Sequence, residues 1–566
     1  MKVLGISCFF HDSTACLIED GRIVACGAEE RFSRKKHDNT FPEKAIAYCL
    51  NEANLAMNEI DKVAFYEKPV VKFERVMSQH LQHAPKSISS FLKHAGSWAK
   101  KRLSLKKILE RELNYFGEIE FYPHHLSHAA TSFYLSNFDQ AHIVVLDGVG
   151  EWATTTVGHA KGKDISLDQS IHFPHSLGLL YSTLTSYLGF RVNNSEFKVM
   201  GLASYGDPSR YDQEYSQLIE LKEDSSFELN MDYFQFDWSK QRMYSQQLVD
   251  LFGHPPREPE TELKQFHQDL AAGLQATLEK AAINLLKSIK DQYPGDKVCL
   301  SGGVALNSVL NGKILNQTDF KKIFIPPDPS DGGAALGAAL LASKKDWDSF
   351  EDFSPYLGPG YNWAQINQVL EQTDGIEYQL YPEKAKLSKK TAQLLDQEKV
   401  VALFQGRMEW GPRALGNRSI LSSAASVKMR DLLNAKVKHR EKFRPFAPVV
   451  LKNEVETLFK LEHSLPRSAK WMLMVYPLKE EKHDDIPAVV HVDGSGRLQS
   501  LEKEDNPFYY QVLEDYHDLS GVPVLINTSF NVRGEPIVCT PQDAVDCYLG
   551  TEIDYLIIGN YLVQKI

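Results

Sequence analysis

Twice in its first third the chain runs strand, tight polar turn, strand, glycine turn, strand. The first copy is "VLGISCFFHDSTACLIEDGRIVACGAEERF", turning at "HDS" and again at "EDG"; its weaker echo is "IVVLDGVGEWATTTVGHAKGKDIS". Apolar runs bounded by such turns read as β-meanders. Two meanders more than a hundred residues apart, with helical stretches between them, suggest an internally duplicated α/β domain. At 566 residues the chain is too long for one ordinary domain, so two or three are expected.

A second feature lies where the echo begins. In "YPHHLSHAATSFYLSNFDQAHIVVLDG" (122–148), His124 and His128 are four residues apart and share a face if the segment is helical. Pro123 suits the first turn of that helix, and "IVVL" reads as a buried strand that ends at Asp147. Two imidazoles and a carboxylate on neighbouring elements are a set that can hold a divalent metal, although most histidine pairs at this spacing bind nothing. Further along, "DLAAGLQATLEKAAINLLKSI" (269–289) has the apolar spacing of a long amphipathic helix. "KVCLSGGVALNSVLNGKI" and "KKIFIPPDPSDGGAALGAALLA" then each read as strand, glycine-containing loop and helix. Glycine turns at the ends of successive strands let backbone N–H groups approach an anion, which favours a ligand crevice there.

The basic stretch 93–112 reads as a solvated helix face, and 205–262 as an insertion or surface subdomain. "SPYLGPGYNWAQI" (354–366) reads as a linker, with one domain over 1–353 and a second α/β domain over 367–566. No apolar run approaches a membrane span, and "MKVLGISCFFHDS" lacks the core of a signal peptide, so a cytoplasmic protein is expected. Seven cysteines without a C-x-x-C pair argue for reduced thiols. A net charge of −11 argues against a general nucleic-acid or anionic-membrane surface. Yet residues 401–450 hold ten Lys/Arg against three acidic residues, a local balance of +7. That concentration suggests a pocket for small anions.

The same region carries the most specific strings: "GRMEWGPRALGNRSIL", "KVKHREKFRPFAP", "HVDGSGRLQS" and "LINTSFNVRGEP". Arginine and lysine alternate here with Gly, Pro and hydroxyl or amide residues, as a phosphate pocket requires. Asn527 and Ser529 can add neutral hydrogen bonds to a nucleotide or acyl-phosphate group. Together with "HD-S", "HHLSHAA", "LDG-GEW", "KVMGLASYG", "LSGGVALN", "DPSDGGAALGAA", "FRPFAP" and "NTSFN", these strings make the chain resemble, end to end, the O-carbamoyltransferase family of nodulation and antibiotic biosynthesis.

That resemblance implies an α/β protein of two domains. The N-terminal one is a duplicated actin/sugar-kinase-like (ASKHA) domain similar to threonylcarbamoyl-transfer proteins; the C-terminal one is YrdC-like and forms carbamoyl-adenylate. His124, His128 and Asp147 match the family's metal ligands, Asp331 matches the fourth, and the metal is iron(II) by analogy. Arg413, Lys438, Arg444, Arg497, Asn527 and Ser529 match the residues that grip carbamoyl phosphate and ATP, the latter with Mg(II). Lys438 and Arg444 carry catalysis there, and His11 is the candidate general base for the acceptor hydroxyl. Lys198, Gly201, Gly302, Gly303 and Asn307 are expected at the adenylate site of the first domain. The implied reaction is O-carbamoylation of a hydroxyl on a natural product or sugar, with no nucleic-acid or membrane partner and a homodimer as the family expectation. Three other readings stay open: an ATP-dependent small-molecule kinase, threonylcarbamoyl transfer to tRNA, and a non-catalytic metal- and nucleotide-binding regulator.

Overall fold

A computed structural model of the chain describes residues 1–84, 104–239, 241–350, 352–441 and 443–566. The chain forms two compact units: residues 1–25, 39–310 and 314–351 in the first, and 26–38, 311–313 and 352–566 in the second.

In the first unit both predicted meanders fold as such. Strands β1 (Lys2–Ser7), β2 (Thr14–Glu19) and β3 (Arg22–Ala28) are joined in one five-stranded sheet by β4 (Lys62–Phe65) and β5 (Glu118–Phe121), in the order β3-β2-β1-β4-β5. β1 is antiparallel to β2 and parallel to β4, and β4 is parallel to β5. The second sheet has β6 (Gln140–Leu146), β7 (Ala153–Lys161) and β8 (Asp164–His172) as its meander. After the small hairpin of β9 (Ile219–Leu221) and β10 (Phe227–Leu229), it is completed by β11 (Lys297–Ser301) and β12 (Lys322–Phe324), in the order β12-β11-β6-β7-β8. β6 is antiparallel to β7 and parallel to β11. Each sheet therefore has a central first strand, a meander on one side and two parallel crossover strands on the other. This repeated topology is the duplicated α/β architecture of the actin and sugar-kinase class.

Two helices pack between the sheets. Asp331–Ala342 lies against β1 and β2, His124–Ser136 lies against β11 and β6, and the two helices meet each other. The sequence "DGGAALGAALLA" allows this, because small residues let backbones approach closely. A Cβ on Gly337 would lie 1.8 Å from the Ser127 carbonyl oxygen, and one on Gly5 of β1 would lie 2.2 Å from that of Ala335. The helix predicted over 269–289 forms as Gln265–Gln292.

The second unit is built on a nine-stranded mixed sheet. Its strands are β13 (Ile376–Leu380), β14 (Val401–Phe404), β15 (Arg418–Ser423), β16 (Ala447–Leu451), β17 (Met474–Pro477), β18 (Ser495–Leu501), β19 (Val524–Ser529), β20 (Tyr555–Ile558) and β21 (Tyr561–Lys565). They lie in the order β13-β21-β20-β14-β15-β19-β16-β18-β17. Leu387 and Leu395 of helix Lys384–Asp396 and Val512, Leu513 and Tyr516 of helix Pro507–Ser520 share one core with Leu403, Leu421, Leu525 and Ile557 from the sheet.

The stretch read as a linker is more ordered than a connector needs to be. Leu357 accepts hydrogen bonds from the Cys26 N–H and the Arg407 guanidinium. A helix begins at Trp363, where Asn362 caps the Gln365 N–H at 3.0 Å. Residues 205–262 fold into short helices and the β9–β10 hairpin. Of the basic stretch 93–112, residues 93–103 lie outside the described residues, and Leu105–Leu113 is a helix that buries Leu105, Leu109 and Leu113. All seven cysteines are buried thiols without a disulfide. Among the described residues no helix is long and apolar enough to cross a membrane.

Gly337→Ala is expected to destabilise the protein by about 1–3 kcal/mol, because the added methyl forces the two inter-sheet helices apart. The measurement is the urea midpoint of the full chain. An unchanged midpoint would contradict the close helix contact.

Candidate metal centre and anion pocket

In the first unit the two inter-sheet helices and the end of β6 bring four side chains together. His124 and His128 are one turn apart at the start of their helix, Asp331 is the first residue of the other helix, and Asp147 follows β6 directly. All four are buried, the two histidines at 0% and 1% exposure. One ligand atom from each lies within 4.8 Å of all the others. His124 Nε2 is 3.1 Å from His128 Nε2, 3.3 Å from Asp147 Oδ2 and 3.6 Å from Asp331 Oδ1, and His128 Nε2 is 3.5 Å from Asp331 Oδ1.

Those separations fit a shared divalent ion. Ligand bonds of about 2.1 Å to a tetrahedral or octahedral centre set donor–donor edges of about 3.0–3.4 Å. Two imidazole nitrogens facing each other across 3.1 Å would otherwise be an awkward pair, and the buried Asp331 Oδ2 has no hydrogen-bond partner. The electrostatics point the same way. Burial pulls the His124 imidazole down, but the hydrogen bond to Asp147 and the charges of Asp331, Asp147 and Glu151 raise it to about 9. Burial likewise pushes Asp147 and Asp331 up, yet the neighbouring imidazoles hold both below the usual carboxylate range.

Backbone contacts fix the ligands in place. Asp147 Oδ1 accepts the Gly303 N–H at 2.9 Å. Glu151, in the turn after Asp147, accepts the His124 N–H with both oxygens, at 3.0 and 3.2 Å, and the Lys68 N–H at 2.8 Å. It thereby caps the helix that carries both histidines and the Pro69–Gln82 helix with one carboxylate, where helix-terminal N–H groups favour an anion.

In the second unit burial lowers the guanidinium groups of Arg413, Arg440, Arg444 and Arg497, and repulsion adds to it: from Arg444 on Arg413 and Arg440, from those three on Arg497, and from Arg533 on Arg444. Arg413 and Arg444 fall to about 10. Glu441 offers a carboxylate 3.7 Å from Arg444. The buried Nε atoms of Arg413 and Arg497 have no hydrogen-bond partner. Lys438 ends a π-turn, Leu433–Val437, and is 5% exposed. Its ammonium donates to the Ser529 carbonyl at 2.5 Å, to the Asn531 carbonyl at 2.9 Å and to Asn531 Oδ1 at 2.8 Å. Asn527, two residues before Ser529 on the same face of β19, donates to the Ala414 carbonyl beside Arg413 and leaves its buried Oδ1 without a partner. Several cations and an orphaned acceptor brought close together are the groups with which a phosphorylated ligand carrying N–H groups could pair.

A family model described as Carbamoyltransferase N-terminus matches residues 2–340, and one described as Carbamoyltransferase C-terminus matches residues 392–565. The chain belongs to the carbamoyltransferase family. That makes it an enzyme that transfers carbamoyl groups. Among its relatives, an uncharacterized Synechocystis sp. protein is 42% identical over 100% of this chain and 96% of its own length. Nodulation protein NolNO of Sinorhizobium fredii is 35% identical over 98% of this chain and 79% of its own. Component A of the (R)-2-hydroxyglutaryl-CoA dehydratase of Acidaminococcus fermentans is 15% identical with a TM-score of 0.34, covering 61% of this chain and 99% of that one. A likeness at that score adds nothing to the topology described above.

The other expected residues of this carbamoyltransferase have mixed placements. His11 Nδ1 is 2.8 Å from Asp12, and its Nε2 is 2.9 Å from the Asn193 carbonyl. Burial lowers this imidazole, but the bond to Asp12 and the charges of Asp12 and Asp331 raise it to about 9. With an acceptor at each nitrogen the ring has no free lone pair in this arrangement, so a base role requires it to release both Asn193 and the Nε2 proton. Gly303 contributes its N–H to the ligand Asp147, and Gly302 takes φ +90 so that the chain can turn against Leu146. Asn307 spends its amide on Gln275 and on capping the Ser308–Gln317 helix. Lys198 stands over the Phe190 ring at 5.4 Å, and the Gly201 carbonyl accepts from Ser204.

Sequence reasoning missed Glu151, Glu409 and Arg440. Glu409 Oε1 accepts the N–H groups of Leu415, Asn417 and Arg418 at 2.7, 2.8 and 3.1 Å and so shapes the loop of Arg413. Glu151 and Glu409 lie within "LDG-GEW" and "GRMEWGPRALGNRSIL", where no local signal marks an acid as the acceptor of several backbone N–H groups. Arg440 was one of several cations in "KVKHREKFRPFAP", and only the fold shows which of them point inward.

Pyrophosphate at about 100 times its dissociation constant is expected to stabilise the chain by about 2.7 kcal/mol, where chloride at matched ionic strength does not. Arg497→Gln is expected to abolish most of that gain without lowering the melting temperature of the ligand-free protein. Thermal melts with and without pyrophosphate check both statements.

Proposed function

We propose that the two units carry out successive stages of O-carbamoyl transfer. The second unit activates a carbamoyl group with ATP, and the first passes it to a hydroxyl of a small-molecule acceptor. The observation that carries this reading is the coexistence of a converged His/Asp cluster with a cation pocket that holds an unpaired acceptor, Asn527 Oδ1.

In the second unit carbamoyl phosphate is hydrolysed to carbamate and phosphate. A carbamate oxygen then attacks the α-phosphorus of Mg-bound ATP, the bond to the β-phosphate oxygen breaks, and pyrophosphate leaves with carbamoyl-adenylate as the product. Negative charge grows on the departing pyrophosphate, and Arg413, Lys438, Arg444 and Arg497 offset it. In a site made almost wholly of donors, Asn527 Oδ1 accepts from the carbamoyl NH2 group, which distinguishes it from an acetyl or phosphoryl group of similar size.

In the first unit the acceptor oxygen bonds to the carbamoyl carbon, AMP leaves, and one proton is released. His124, His128, Asp147 and Asp331 would hold a first-row divalent metal such as iron(II), which when bound supplies Lewis-acid polarisation of a carbonyl oxygen. The ring of His11 takes the hydroxyl proton at Nε2 once it has left the Asn193 carbonyl and released its own Nε2 proton to solvent, with Nδ1–H still held by Asp12. The buried positions of the ligand side chains keep bulk water from competing with the acceptor.

The test is incubation of the full chain with ATP, iron(II), ¹⁴C-labelled carbamoyl phosphate and a panel of hydroxylated sugars and natural products. Labelled O-carbamate on an acceptor supports the reading; label found only in free carbamate and bicarbonate across the panel contradicts it. Asp331→Asn is expected to lose bound metal and acceptor labelling while pyrophosphate release continues. Lys438→Ala is expected to cut pyrophosphate release by about 100-fold or more and keep the metal. Metal analysis and a pyrophosphate assay on the two variants read these outcomes separately.

A further inference from the structure

Residues 26–38 leave the first meander and belong to the second unit, although strands of the first unit flank them in sequence. Three neighbouring side chains of this segment grip the two loops that shape the anion pocket. Arg31, 7% exposed, donates to the Gly411 carbonyl at 3.1 Å, two residues before Arg413. Phe32 packs against the cluster of Met408, Ala414, Ile537 and Cys539, which draws on both loops. Arg34 ends the short Glu29–Ser33 helix in a left-handed conformation (φ +59) that turns its guanidinium onto the other loop.

Arg34 makes the most specific of these contacts. Its fork donates to the Ile537 carbonyl at 2.7 Å and the Pro536 carbonyl at 3.0 Å, with Glu535 and Asp543 carboxylates at 3.8 and 3.6 Å. The loop it grips anchors Lys438. The Glu535 carbonyl accepts from Asn531 Nδ2 at 2.8 Å, Glu535 Oε1 accepts the Val532 N–H at 2.7 Å, and Asn531 is the residue that receives the Lys438 ammonium twice. A chain of contacts thus runs from Arg34, through its ion pair with Glu535 at 3.8 Å, and on by hydrogen bonds from Glu535 to Asn531 and from Asn531 to Lys438. Lys36, two residues beyond, stands close enough for its charge to oppose that of Lys438.

We propose that Arg31 and Arg34 are positioning residues for phosphate binding in the second unit, so that the anion pocket is incomplete without a segment drawn from the N-terminal meander. The inference rests on the adenylation reading and adds to it a requirement for residues some 380 to 500 positions away in sequence. A guanidinium fork suits this role because it meets two backbone carbonyls at once in a fixed plane, which a lysine ammonium cannot reproduce. Small displacements of the groups that grip phosphates are costly to binding and turnover.

The experiment measures ATP and pyrophosphate binding by calorimetry on the full chain, as wild type, Arg34→Ala, Arg34→Lys and Arg31→Ala. The control is Arg257→Ala, which removes a similar set of guanidinium-to-carbonyl bonds, to Leu188 and Thr261 in the first unit. Arg34→Ala is expected to weaken ATP and pyrophosphate by about tenfold or more, with Arg34→Lys intermediate and Arg257→Ala unchanged. KM for ATP rises in parallel, and metal bound by the first unit stays at the wild-type level. A folded Arg34→Ala that binds ATP as the wild type does overturns this inference alone. Should Arg34→Ala fail to fold, Arg34→Lys and Arg31→Ala decide, and wild-type binding in both overturns it equally. A wild-type chain that binds neither ATP nor pyrophosphate overturns the adenylation reading, and this inference falls with it.

Discussion

Holding ionisable groups together away from water is the constraint on which both units depend. Two carboxylates and two imidazoles share a buried site in the first, and guanidinium and ammonium groups crowd one pocket in the second. Neither arrangement forms for its own stability, since gathering like charges or burying them without partners costs free energy. Each persists because the surrounding backbone is held by contacts that do not themselves require a ligand. Glu151 pins the histidine helix, Glu409 folds the Arg413 loop around three N–H groups, and Asn531 receives Lys438.

The fold supplies these frameworks through its helix ends and strand ends. Because the two halves of the first unit repeat one topology, their inter-sheet helices meet, and residues at the first turns of both converge on the end of β6. The N-terminus of the Asp331–Ala342 helix favours the negative charge of Asp331. Close approach of the helices, made possible by Gly337, sets how near Asp331 comes to His128. In the second unit the loop between β14 and β15, the π-turn before Lys438 and the end of β19 play the corresponding part. A π-turn at that position fits its general association with functional sites.

Much of this was legible in the sequence, for physical reasons. The meanders announce themselves through turn residues and apolar runs, and both fold where the turns predict. The histidine spacing already required a shared helical face, and the family resemblance placed Asp331 beside it. What the sequence hid was direction and partnership. Arg407 and Arg418 sit in the same string as Arg413, yet Arg418 is fully buried against the Gln405 and Pro359 carbonyls and the Phe404 ring and serves the fold. Asn307 and Gly303 lie in a turn that looked made for an anion, and the structure gives them to Gln275 and Asp147. The service of residues 26–38 to the second unit had no local signal at all, because nothing in "CGAEERFSRKKHD" names a partner several hundred residues away.

The central claim is that the second unit activates a carbamoyl group by adenylation. The most direct measurement is ³¹P NMR of the full chain with Mg-ATP and carbamoyl phosphate, following every phosphorus species from the first minutes. Adenylation predicts pyrophosphate and inorganic phosphate rising together in equal amounts, matched by the sum of carbamoyl-adenylate and AMP, with no pyrophosphate when carbamoyl phosphate is left out. Growth of ADP in place of AMP, at a rate indifferent to carbamoyl phosphate, would contradict it and point to a kinase.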